Sequence, residues 1–197
     1  MGRISLVTII VMALPMLLSA CFPLLAGGAA VGTVAFVATD RRTGGAYVED
    51  QGVEVKLSKQ LNARLPTSHI NVTSYNRAVL LTGEVLSEAA QQEAQTMARG
   101  MPNVRKVWDY TVVSPVSSLA SRNNDTWITT KVRTRLLNGK GYPAQSIKVV
   151  TERGVTYLMG LVTKTEGGVA TDVVRSTLGV QKVVPLFEYL PDIPVQP

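Results

Sequence analysis

Residues 70–83 read INVTSYNRAVLLTG, and 77 positions later residues 147–160 read IKVVTERGVTYLMG, aligned without a gap. In each stretch two β-branched or apolar runs flank a short polar break. The spacing predicts a hairpin of strands 69–75 and 78–85 around Tyr75-Asn76-Arg77, and a second of strands 147–152 and 155–162. Gly83 and Gly160 close equivalent strands. A glycine there indicates a bulge or close approach of the following helix, so a larger residue at either position should destabilise its unit.

The similarity extends outward from the hairpins. Val85 falls on Val162, and after a one-residue deletion residues 104–107 fall on 180–183. Upstream, Asp50, Leu57 and Leu61 match Asp125, Val132 and Leu136. Val53, Leu57, Leu61 and Arg64 recur at helical spacing, predicting a helix over 49–64 that stops at Pro66. Residues 87–99 form a second helix, with Ser87 as N-cap and Gly100 and Pro102 as stops. Residues 104–113 complete the unit as a strand. The second copy repeats the order as helix 125–138, the two hairpin strands, helix 164–177 and strand 180–189. Each copy is about 70 residues, near the lower limit for an independent core. The fold class is α+β: two tandem αββαβ units, each a three-stranded sheet with two helices on one face. Asp50 and Asp125 read as helix N-terminal carboxylates favoured by the dipole.

The N-terminus is an address. Arg3 precedes an apolar run over residues 4–18, and Leu18-Ser19-Ala20-Cys21 resembles the bacterial lipobox. That resemblance makes Cys21 the lipidated first residue of the mature chain. The +2 residue is Phe22 rather than Asp, which in lipoprotein sorting directs the chain to the outer membrane, facing the periplasm. The chain divides into leader 1–20, lipidated tether 21–45, first unit 46–115, polar linker 116–123, second unit 124–190 and tail 191–197.

Composition argues against an enzyme. One cysteine leaves no disulfide framework and no cysteine-rich metal site, and one histidine, His69, disfavours His-based metal sites and Ser-His-Asp catalysis. No GxSxG, P-loop, HExxH or CxxC occurs. No metal or other cofactor is expected. The export signal disfavours nucleic acid as partner. His69, with no suitable partner nearby in sequence, reads as surface or edge packing. Thr163-Lys164-Thr165-Glu166 reads as an ordinary strand-to-helix turn.

Charge separates the two units. Over 46–115 seven cations balance seven anions, whereas over 122–190 ten cations face five anions, a net of +5. A shared fold does not require that difference. In helix 125–138 the buried stripe should be Ile128, Val132 and Leu136. Trp127, Lys131 and Arg135 form a neighbouring row, and Arg133, Leu137 and Lys140 form another flank. An indole beside Lys and Arg is the composition of a membrane-interface anchor, so these six residues are the candidate phospholipid contacts. Trp108 and Tyr110 alternate along the first unit's last strand, either as a domain–domain contact or as an exposed partner surface.

The αββαβ order with its strand-closing glycine resembles the BON domain of bacterial envelope proteins, over nearly all of 46–190. The strings NDTWITTKVR (124–133) and LMGLVT (158–163) behind a lipobox are similar to outer-membrane lipoproteins with two such domains. The resemblance implies a monomeric, non-enzymatic lipid binder. It would take anionic phospholipid (phosphatidylglycerol or cardiolipin) through the second domain and support outer-membrane integrity at division sites. The alternative is a protein-interaction adaptor for envelope assembly or cell-wall enzymes, acting through the first domain around Trp108 and Tyr110.

Overall fold

The structure, a computed structural model, describes residues 40–191. The leader, Cys21, residues 21–39 of the tether and residues 192–197 lie outside the described residues. Among the described residues no helix is long and apolar enough to cross a membrane.

The first unit runs α1 (Gly44–Arg64), β1 (His69–Tyr75), β2 (Ala78–Val85), α2 (Glu88–Arg99) and β3 (Lys106–Val113). The second runs α3 (Leu119–Asn138), a 3-10 turn (Ala144–Ser146), β4 (Ile147–Glu152), β5 (Val155–Val162), α4 (Lys164–Arg175) and β6 (Lys182–Tyr189). Each sheet has its second strand in the middle, antiparallel to the first and parallel to the third. In the first unit Leu57 and Leu61 of α1 and Ala94 and Ala98 of α2 pack with Val79, Leu81 and Val85 of β2. Ile128, Val132 and Leu136 of α3 pack with Leu158, Val162, Ala170 and Val174 in the second.

Helices α1 and α3 begin earlier than their apolar stripes. Thr43 and Ser118 cap them by accepting from the amides of Ala46 and Ser121. Part of the stretch read as linker is therefore the first turn of α3. Between β5 and α4, Thr163 and Glu166 form a reciprocal capping box, more than the ordinary turn expected.

Asp50 and Asp125 are not helix caps. Each lies inside its helix and holds a hairpin turn. Asp50, fully buried, accepts from the amides of Asn76 and Arg77 at 2.7 and 2.8 Å, from Ser74 Oγ at 2.7 Å and from Arg42 at 2.8 Å. Asp125 accepts from the amides of Arg153 and Gly154 at 2.8 and 2.9 Å. Those turns carry positive φ at Asn76, Arg77, Arg153 and Gly154, which turns their N–H groups together toward one acceptor. What crowds the strand-closing glycines is the start of the neighbouring strand, not the following helix. A Cβ on Gly83 would sit 2.0 Å from the carbonyl oxygen of His69, and one on Gly160 2.6 Å from that of Ser146.

The two sheets face each other. Along β2, Val79, Leu81 and Val85 point to the helices, so Leu80, Thr82 and Glu84 point the other way. Leu80 and Tyr75 meet Tyr157, Met159, Leu161 and Leu186 in a third apolar cluster, with Trp108 and Val150 at its margin. The rings of Tyr110 and Tyr157 lie 4.9 Å apart. The Tyr110 ring thus lies against the second unit and Trp108 sits at the margin of the junction, while Tyr110 stays 38% exposed. Strands β1 and β4 run side by side at one margin, where Tyr75 donates to Ser146 O at 2.7 Å and Lys148 pairs with Glu54.

The end of the tether is built into this body. Arg42 is buried between Asp40 and Asp50 at 2.7 and 2.8 Å and stacks over the rings of Tyr47 and Tyr75. Arg41 forks onto Glu166 at 2.6 and 2.8 Å, so one dipeptide grips both units. The Arg41 hydrogen bond, against some burial, holds the Glu166 carboxyl below the ordinary glutamate range. A carboxylate whose pKa is depressed by folding contributes stability above its unfolded pKa and loses it as pH falls through the folded value. Arg41→Ala should therefore lower the urea midpoint at pH 7, and the deficit should shrink toward pH 3. A deficit unchanged with pH would show that the pair contributes no charge-dependent stability.

Candidate functional site

Helix α3 has three surfaces. Its inner stripe is buried, with Ile128 only 1% exposed. One position earlier Trp127 is 62% exposed, and Leu137 is 63% exposed. Between them on the outer ridge, Thr130 and Thr134 donate back to the carbonyls of Thr126 and Thr130 at 3.0 Å. Their hydroxyls are satisfied within the helix, so this ridge is less hydrophilic than its composition suggests.

The cations flank the ridge on two sides. On one, Lys131 donates to Leu178 O at 2.7 Å, and Arg135 donates to Ser176 O at 2.6 Å and Ser176 Oγ at 3.2 Å. These carbonyls lie just past the C-terminus of α4, where the helix dipole is negative and attracts cations. On the other side Arg133 leans toward β4 and donates to Val149 O at 3.3 Å. Lys140 is exposed beyond the helix end. An ammonium has three donors and a guanidinium five, so the three engaged cations retain donors for an external anion.

Sequence reasoning missed Leu178. It is 83% exposed in the turn after α4, and its carbonyl is the one that holds Lys131. A lone leucine before Gly179, which takes a φ of +99°, carries little periodic signal. The turn places it beside Lys131 of α3, so exposed apolar side chains come from both elements.

A second polar centre lies at the junction of the sheets. A cleft of about 470 Å³ is lined by His69 and Asn71 of β1, Arg122, Thr126 and Arg133 of α3, and Glu152 of β4. His69 has partners after all, because the fold supplies them from distant sequence. Its Nδ1 is 3.2 Å from Glu84 Oε2, while Asn71 donates to Glu152 at 2.7 Å. Burial raises the Glu152 carboxyl above the ordinary range against the opposing Asn71 bond. For Glu84 burial also pushes upward, but hydrogen bonds from Ser117 and His69 outweigh it and the carboxyl sits below that range.

Two matches to the BON domain model cover residues 49–115 and 124–191. The chain belongs to the BON-domain family. It is 34% identical over 88% of its length to the outer membrane lipoprotein DolP of Haemophilus influenzae, covering 90% of that protein. A 21 kDa hemolysin of Actinobacillus pleuropneumoniae is 30% identical over 77% of the chain and 79% of its own length. The osmotically-inducible protein Y of Escherichia coli is 27% identical over 71% and 72%. Among solved structures, CdsD, a structural protein of the type III secretion system of Chlamydia trachomatis, matches with a TM-score of 0.30 at 12% identity, covering 70% of this chain and 92% of that one. The chain is a DolP-like lipoprotein of the outer membrane with two BON domains. The exposed indole ridge belongs to the second BON domain and the His69–Glu84 pair to the first.

Proposed function

We propose that the second BON domain docks on anionic phospholipid, phosphatidylglycerol or cardiolipin, by inserting Trp127 and resting Lys131, Arg133, Arg135 and Lys140 among the head groups. The observation that carries this reading is the outward indole of Trp127, one residue from a fully packed Ile128. An indole with a polar N–H and an apolar body favours the membrane interface. Leu137 and Leu178, both exposed, add apolar area. Each cation near an anionic surface is worth about 1 kcal/mol and fades within a Debye length, so the contact is salt-sensitive. Acyl chains at Cys21 would keep the domain at the membrane and raise its effective concentration there, so weak contact suffices. The protein acts as a monomeric binding module, not an enzyme, and supports outer-membrane integrity at division sites. An adaptor role through Trp108 and Tyr110 is less favoured, because both residues are engaged at the domain junction.

Co-sedimentation with vesicles tests it. The protein should pellet with phosphatidylglycerol vesicles and not with phosphatidylcholine ones. Trp127→Ala should weaken binding about tenfold or more, the loss of a buried aromatic anchor. Lys131→Glu with Arg135→Glu should abolish binding. Equal binding by wild-type and charge-reversed proteins would sink the reading.

A further inference from the structure

The sheet–sheet layer is apolar along most of its length and ends in three ligand-type side chains. His69 and Glu84 are register partners on β1 and β2 and share a face, and Glu152 ends β4 on the face turned toward them. Their ligand atoms lie within 4.8 Å of one another, with Glu84 and Glu152 buried. We propose that His69, Glu84 and Glu152 bind one divalent cation of the Zn2+ class across the junction of the two BON domains.

Three features support the assignment. The first is spacing. Metal–ligand bonds of about 2.0–2.2 Å place neighbouring donors of a tetrahedral site roughly 3.4 Å apart, and His69 Nδ1 and Glu84 Oε2 are already 3.2 Å apart. Glu152 has to close by at most about 1.4 Å to reach such spacing. The second is charge. Two buried carboxylates stand beside one imidazole; Arg153, its side chain half exposed, is 3.4 Å from Glu84, and Arg122 and Arg133 line the same cleft. Buried carboxylates are stabilised by close pairing or by metal coordination. The third is access. His69 and Glu152 line the open cleft, which gives the ion an entry path and leaves room for water in a fourth position. One imidazole and two carboxylates, with Asn71 hydrogen-bonded to one of them, form a mixed N/O donor set of the kind that holds Zn2+. Because the donors come from both domains, the ion would clamp them together.

The experiment uses the lipidated chain in detergent micelles, stripped with a chelator and titrated with Zn2+ alone by calorimetry. One equivalent should bind, raise the melting temperature, and be reversed by chelator. Glu152→Gln keeps the side chain's shape and an oxygen for Asn71, so it should fold and bind at least tenfold more weakly. His69→Gln should do the same. No saturable binding, or unchanged affinity in both variants, would overturn the proposal. X-ray absorption at the zinc edge of the wild-type protein gives a readout that needs no variant. A first shell of one imidazole nitrogen and oxygens supports the site, and a sulfur-containing or all-water shell refutes it. Vesicle binding is measured separately, so failure here leaves the phospholipid reading untouched.

Discussion

Asp50→Ala should destabilise the protein by about 3–5 kcal/mol, the range for breaking a buried ion pair by removing one partner. Asp50 accepts from two turn amides, from Ser74 and from Arg42. Removing it leaves those amides without their acceptor and strips one carboxylate from a guanidinium that is itself buried. For a body of this size the melting temperature should fall by roughly 6–20 °C. Asp125→Ala provides the internal comparison. It removes two turn bonds but no cation, so its cost should be smaller. Thermal or urea unfolding of the two variants measures both, and equal losses would show that the Arg42 pair adds nothing to the turn anchor.

Gly83→Ala should cost more than the roughly 1–2 kcal/mol of a left-handed alanine, because two penalties coincide. Gly83 takes a φ of +106°, and a Cβ there lands 2.0 Å from the backbone oxygen of His69. A backbone carbonyl in a strand ladder cannot step aside as a side chain can, so β1 and β2 must separate at their ends. Gly160→Ala should be milder, since only the 2.6 Å approach to Ser146 O opposes it. Gly52→Ala is the control. Nothing lies within 4 Å of a Cβ at Gly52, and alanine in a helix interior gains about 0.5–1 kcal/mol over glycine. Urea midpoints should therefore rank Gly52→Ala above wild type, then Gly160→Ala, then Gly83→Ala. Gly83→Ala as stable as Gly160→Ala would refute the strained-backbone account.

Much of the fold is legible in the amino-acid sequence. The hairpin strands run where alternation and turn residues place them, because β-branched runs bounded by Asn-Arg or Arg-Gly are local signals. The rows on α3 are legible too, since a 3.6-residue period assigns Ile128 inward and Trp127 outward without reference to any partner. Helix starts are not, because α1 and α3 extend over polar or glycine-rich residues held by Thr43, Ser118 and the Arg42 cluster. The roles of Asp50 and Asp125 escape local patterns for a related reason. An Asp near a helix start is a common cap, and only the return of a hairpin from 26 or 28 residues downstream reveals another set of donors.

The amino-acid sequence by itself determined the duplication, the αββαβ order, the basic bias of the second unit and the outward Trp127, all of which follow from periodicity, composition and short-range stereochemistry. Only tertiary structure decided that the sheets pack face to face, that Lys131 and Arg135 reach the end of α4 beside Leu178, and that His69 meets Glu84 and Glu152. Those contacts join residues far apart along the chain. They depend on which faces the packing leaves open, and no local pattern encodes that.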